Sequence, residues 1–375
     1  MVFTFGLTTV AAAADAVSLQ INGKTLPVEV PPVIKSGRTL VPVKAISESL
    51  GADVIWDAKA KTVTIVKNSD TIILTINASD VRKNGNALNK LEVPAQIVNG
   101  RTMVPVRFVS ETLGAEVDWD GATRTVKVTF TEKKADMTPE ELLEKSTVAM
   151  MAYDSYKFNA TGSIKVNVPK SPALNMNMTM EGDFKKPAEI YMKQSMEPVG
   201  QNLPQEKIAM EMYSVNGTVY SRINNGKWQS MNLGFSEELM EKMQNQDPAA
   251  AIEQMKQFGL VVTHANEAKK DGKDYFVLYV KIDQEKYKES VREILASVDF
   301  PAGEARELIN EMFDGMKMDL SYRAYINKDT LLLEQIKYSG TMTFEVLGEK
   351  MTQDIDLEMA MYDFGAPVTM PDVTK

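Results

Sequence analysis

Residues Leu174–Phe184 read LNMNMTMEGDF. Met176, Met178 and Met180 alternate with Asn175, Asn177 and Thr179. Successive side chains of a strand point to opposite faces, so the three thioethers share one face and the polar groups take the other. The alternation returns at Met210 and Met212, at Met342 and Phe344, and at Met359 and Met361. Of the 24 methionines, only Met1 and Met103 precede residue 131. The pattern predicts a large antiparallel sheet with one apolar, deformable face.

Outward from that stretch the second half keeps period two. Tyr156, Phe158, Ala160, Ile164, Val166 and Val168 share one parity before it, and Ile190, Met192 and Met196 follow it. Asn216-Gly217 and Asn225-Gly226 have the chemistry of hairpin turns. Helical blocks are expected at Ser236–Phe258, interrupted near Pro248, and at Gln284–Phe313, broken by Pro301. Strands are expected at Leu260–Thr263 and Tyr275–Ile282, then at Met318–Ile326, Leu332–Val346 and Met351–Asp363. Upstream, Thr138 with Glu141 three residues later forms a capping box, opening a helix whose apolar side is Leu142, Leu143, Val148 and Met150. The charged stretch before it, residues 131–137, has the composition of a linker. Residues 138–375 are thus expected to form an α+β domain, one face of its antiparallel sheet covered by helices.

The first half is a tandem repeat. IKSGRTLVPVKAISESLGADVIWDAKAKTVTI from Ile34 matches IVNGRTMVPVRFVSETLGAEVDWDGATRTVKV from Ile97, at a constant offset of 63 residues. In each copy a Gly turn (Gly37, Gly100) precedes a short strand. Pro42 or Pro105 suits the first helical position, and Val43, Ile46 and Leu50, or Val106, Val109 and Leu113, fall at helical spacing. Gly51 and Gly114 end the helices, and a Trp-Asp hairpin (Trp56-Asp57, Trp119-Asp120) follows. Arg38, Arg101, Trp56 and Trp119 can be read as a carbohydrate-binding pair, since Trp stacks on apolar faces, but the reading in which the Trp are core anchors and the Arg are turn or strand-end contacts is favoured.

These motifs, G-R-T-x-V-P-V, then S-E-x-L-G-A, W-D and T-V, resemble the copper amine oxidase N-terminal-like, or stalk, domain over residues 17–130. The resemblance implies a small α+β module of secreted bacterial surface proteins, non-catalytic in the namesake oxidases. The oxidase chemistry does not carry over: a copper site of that kind needs several imidazoles, and His264 is the one histidine. The second half resembles LolA-like and LprG-type lipid-binding proteins in its pattern of an opening helix, long hairpins and helices inserted midway. That resemblance implies a curved half-barrel, lidded by helices, around an apolar cavity.

Composition narrows the function classes. There is no Cys, which excludes disulfides, thiolate metal sites and a cysteine nucleophile. The net charge of −9 is unevenly spread. Residues 17–130 hold 14 Lys+Arg against 11 Asp+Glu, whereas residues 131–375 hold 28 against 39. Neither half has the dense basic patch of a nucleic-acid binder. Residues 1–16, MVFTFGLTTVAAAADA, read as a signal peptide ending at Ala14-Asp15-Ala16, so a secreted or extracytoplasmic protein at the bacterial surface is expected. No other run approaches the length of a membrane span.

The methionine face admits three readings: a packed core, an apolar ligand cavity suited to varied acyl chains, and Cu(I) held by thioethers. No G-x-S-x-G elbow, P-loop or S-x-x-K is present, His264 follows an apolar run with no recognisable partner, and Asp354, Asp356 and Glu358 lie on a solvated strand face. No catalytic residue, metal ligand or cofactor is therefore assigned. The expectation is a non-enzymatic binding protein. Residues 17–130 would associate with the envelope through a cell-wall polymer. The half-barrel would take a lipid or other hydrophobic molecule. Candidate lining residues are Met176, Met178, Met180, Phe184, Met192, Met210, Met212, Met342, Phe344, Met359 and Met361. The alternatives are a purely structural or adhesive surface protein and a methionine-based copper binder.

Overall fold

The computed structural model describes residues 16–375 except 170, 201–206, 233–252, 254–256, 258, 297–314, 347–348 and 375. The leader-like residues 1–15, nearly all of the helical block expected at 236–258 and the later part of the one at 284–313 lie outside the described residues. The chain divides into two compact units, Met1–Thr131 and Glu132–Lys375.

The first unit contains β1 (Ser18–Ile21), β2 (Lys24–Thr25), β3 (Val33–Lys35), β4 (Arg38–Pro42), α1 (Val43–Ser49), β5 (Asp53–Asp57), β6 (Thr62–Lys67), β7 (Asp70–Thr75), β8 (Val81–Lys83), β9 (Asn86–Ala87), β10 (Gln96–Val98), β11 (Arg101–Pro105), α2 (Val106–Thr112), β12 (Glu116–Asp120) and β13 (Thr125–Thr129). The two copies are interlocked. Their β4 and β11 pair antiparallel at the centre of one sheet, ordered β10-β11-β4-β3. Each copy's Trp hairpin belongs to a separate sheet. β5 and β6 continue into β7-β8-β9, while β13 takes the N-terminal β1 as a parallel neighbour.

Local chemistry follows the sequence closely here. Val43, Ile46 and Leu50, and Val106, Val109 and Leu113, are buried, as helical spacing requires. The Pro residues are N-caps rather than the first helical residues, because β4 and β11 run straight into the helices. Gly51 and Gly114, at φ 81° and 91°, close both helices. The N–H of Ala52 donates to Ser47 O and that of Gly51 to Glu48 O, with the same pattern at Ala115 and Gly114. Asp57 and Asp120 each accept two backbone N–H groups of the following turn.

The second unit opens with α3 (Pro139–Met151). It is held by the expected box: Glu141 N donates to Thr138 Oγ1 at 3.2 Å and Thr138 N to Glu141 Oε2 at 2.7 Å. Then come β14 (Ser155–Asn167), β15 (Leu174–Lys185), β16 (Glu189–Val199), β17 (Ile208–Val215), β18 (Thr218–Ile223), β19 (Gln229–Asn232), β20 (Val261–His264), β21 (Ala268–Lys270), β22 (Lys273–Lys281), α4 (Gln284–Ala296), β23 (Lys317–Asn327), β24 (Leu333–Val346) and β25 (Glu349–Tyr362). These twelve strands form one sheet, ordered β19-β18-β17-β16-β15-β14-β25-β24-β23-β22-β20, with β21 also on β22. Every pairing in it is antiparallel. The fold is α+β and the sheet is curved. An open sheet of this many twisted strands, apolar on one side, reduces its exposed apolar area by curling.

Two hairpin expectations resolve differently. Asn216 and Gly217, both at positive φ, close a two-residue turn between β17 and β18. The second loop instead places Asn224 and Asn225 at positive φ and is longer. Val148, expected on the apolar side of α3, is exposed. Leu142 is the helix's deeply buried apolar residue, and it joins Val262, Phe276, Leu278, Val280, Ala324 and Ile326 in the core. Met137, within the stretch of linker composition, is buried in the same core.

Candidate functional site: one face of the twelve-stranded sheet

Antiparallel partners point to the same side of a sheet, so register decides which side chains meet. Met359, Ala160, Met180, Gln194 and Met210 form one row across β25, β14, β15, β16 and β17. Met361, Phe158, Gly182, Met192 and Met212 form the next. Met176 lies beside Ile164, Met178 beside Gly162, and Phe184 beside Tyr156. On β24, Met342 pairs with Gln353 and Phe344 with Met351. All eleven candidate residues therefore fall on one face. Met178 and Met361 are buried, and the other nine are partly exposed.

The face is unequally covered. At the β20–β23 end α3 seals it into the core around Leu142. At another edge Tyr156 stacks on Phe184 with ring centroids 4.8 Å apart and meets Phe364 at 5.9 Å. The sequence also understated its extent: Met196, Ile355 and Leu357 share it by register. So do Tyr322 and Tyr338, which pair directly across β23 and β24. Burial pushes both phenols up to about 12, so they are neutral hydroxyls. The parity of Tyr322 with Ala324 and Ile326 was the available signal. Gln194 donates to the sulfur of Met178 at 3.3 Å.

The opposite face is polar and internally paired. Glu211 accepts from Tyr191 Oη at 2.5 Å and from Arg222 Nε at 2.8 Å, and Arg222 lies over the Trp228 ring at 4.7 Å. Glu358 accepts from Lys337 at 2.7 Å and Asp354 from Thr341 at 2.9 Å. These carboxylates are the solvated side of β25, as the alternation implied. His264 ends β20, buried, with Nε2 3.0 Å from Met137 O. Burial holds its pKa below the usual histidine value. Among the described residues no cluster of three or more His, Cys, Asp or Glu stands ready for a metal, and no helix is long and apolar enough to cross a membrane.

In the first unit the structure corrects one reading. Trp56 and Trp119 are 45 % and 42 % exposed, so they are not core anchors. Arg38 pairs with Glu92, and Arg101 with Glu29.

The model of the family of unknown function DUF6612 matches residues 138–375, more than half of the chain. The chain belongs to this family. In this DUF6612 protein, residues 20–128 match a copper amine oxidase N-terminal domain. A curated protease inhibitor of Brevibacillus choshinensis is 27% identical over 206 residues, which are 52% of this chain and 60% of that protein. The chain thus spans less than two thirds of that relative's length. Among solved structures, LprF from Mycobacterium bovis is similar at 15% identity and a TM-score of 0.29, over 63% of this chain and 96% of that one. The Mycobacterium tuberculosis lipoprotein LppX is similar at 8% identity and 0.29, over 61% and 96%. A LolA superfamily protein from Nitrosomonas europaea is similar at 11% and 0.20, over 61% and 95%.

Proposed function

We propose that this protein is a non-enzymatic, extracytoplasmic binder that holds a lipid or other hydrophobic molecule on the methionine-bearing face of its DUF6612 unit. The first unit holds the chain at the cell envelope through a wall polymer. One observation carries the reading. Eleven apolar side chains, nine of them methionines, are placed on one face by strand register, yet nine of the eleven remain partly exposed. A finished core would bury them, whereas a surface that takes varied acyl chains needs adaptable, polarizable side chains with room above them. Copper through thioethers alone gains nothing from Tyr156, Phe158, Ile164 and Leu357 beside the methionines, whereas an acyl chain does.

Titration of the full chain with dansyl-labelled undecanoic acid tests this. Saturable fluorescence enhancement is expected, weakened about tenfold when Met180 and Met210 of one row are both changed to Gln. No saturable binding, or binding indifferent to that double change, overturns the reading.

A further inference from the structure

The first unit carries a groove of about 650 Å³ that the lipid reading does not use. It lies between the two copies of the repeat. Ile34 and Arg38 come from the first, and Arg107 and Phe108 at the start of α2, with Asp118 and Trp119 on β12, come from the second. We propose that this groove binds a neutral carbohydrate chain. The proposal rests on the envelope-association reading of the first unit and gives it a site and a ligand class.

Shape and surface point to a sugar. Trp119 leaves 42 % of its surface, and Ile34 47 %, in solvent on a concave wall, although an indole is costly to leave wet. A pyranose ring offers the flat C–H face that an indole stacks on, and hydroxyls for the guanidinium and carboxylate groups around it. The charges decide against a polyanion. The lining holds Arg38, Lys90 and Arg107 against Glu92, Glu111 and Asp118, a balance of zero. The cations are already engaged. Arg38 pairs with Glu92, Arg107 lies 3.8 Å from Glu111, and Lys90 lies 3.2 Å from Asp80. The surplus of three positive charges over residues 17–130 is therefore not focused here, as attraction of an anionic polymer would require.

The duplication supplies an internal control. At the offset of 63, Trp56, Arg101 and Ile97 stand for Trp119, Arg38 and Ile34, but Ala45 replaces Phe108 and Ile55 replaces Asp118. The twin position has an equally exposed indole without the second ring or the carboxylate. Trp119 and not Trp56 should therefore carry binding.

The test uses the full chain and chitohexaose, a soluble neutral oligosaccharide, in saturation-transfer NMR and calorimetry, with a poly(ribitol phosphate) control. The expected result is binding indifferent to salt, weakened about tenfold or more by Trp119→Ala and unchanged by Trp56→Ala. Both residues are exposed, so circular dichroism should show both variants folded. No binding of chitohexaose, equal loss in both variants, or salt-sensitive binding of the polyanion alone overturns the proposal. Co-sedimentation with isolated cell walls separates it from the reading beneath it. Sedimentation that Trp119→Ala does not reduce overturns the groove and leaves envelope association standing. Failure to sediment overturns envelope association, while the oligosaccharide titration still judges the groove.

Discussion

Val41 and Val104 face each other as direct register partners at the centre of the first unit, and they are the same position of the two repeat copies. A pseudo-two-fold axis therefore runs between them. The Arg38–Glu92 and Arg101–Glu29 pairs are likewise equivalent to one another at the offset of 63. Both valines are fully buried. Val41→Ala and Val104→Ala should each cost about 2 kcal/mol. Because the side chains are neighbours, the double change should depart from the sum by about 0.5 kcal/mol or more. Urea denaturation of the three variants measures this, and a silent single variant would show that the symmetry has no energetic counterpart.

The two faces of β15 make opposite demands on neighbouring residues. Met178 is buried on the apolar face, and Thr179 is exposed on the other, with its hydroxyl 2.8 Å from that of Ser195. Met178→Lys should strand a charge and cost about 3 kcal/mol or more, whereas Thr179→Lys should stay within about 0.5 kcal/mol of the parent. Thermal unfolding of the two variants reads the difference directly. A reversed order would mean the register is shifted by one residue.

Close packing of backbone on backbone explains two glycines on the same face. A Cβ at Gly182 would meet the Phe158 ring and the carbonyl oxygen of Tyr191, and one at Gly162 would meet the carbonyl oxygen of Asp356. Gly182→Ala and Gly162→Ala should each destabilise by about 1–3 kcal/mol, because neither carbonyl can move without breaking the ladder. Gly272→Ala is the comparison for strain alone: its φ is +79° and no atom lies within 4 Å of the added carbon. That variant should lose only about 1 kcal/mol.

Much of this was legible in the chain. The repeat offset located β4, β11, both helices and both Trp hairpins, because turn glycines, prolines and apolar spacing all agree there. Period two placed the strands of the second unit and all eleven face residues, since pleating leaves no other way to sort alternate side chains. What sequence could not supply was which surfaces meet. Trp119 shares a strand parity with buried Val117 and Trp56 with half-buried Val54, and only tertiary packing shows the indoles in solvent. Phe108 and Trp119 were placed in separate elements by pattern, and their convergence on Arg38 depends on the exchange of strands between copies.

His264 gives the second unit a pH response. Burial depresses its pKa below the usual 6.5, Lys134 adds to this, and the bond to Met137 O with Glu132 and Glu140 opposes it. The unfolded chain therefore binds the proton more readily between the folded value and 6.5. The contribution is fully present above that range and is lost as pH falls through it. The thermal midpoint should drop between pH 7 and pH 5, and His264→Gln should flatten that part of the profile. An unchanged slope in the variant would assign the effect to other groups.

Native mass spectrometry of the full chain, purified from the cells that produce it and followed by organic extraction, bears most directly on the methionine-bearing face. The account predicts a non-covalently bound hydrophobic molecule, recovered in the extract and depleted in the Met180→Gln, Met210→Gln double variant. A folded protein that carries nothing extractable and takes up no acyl probe would contradict it.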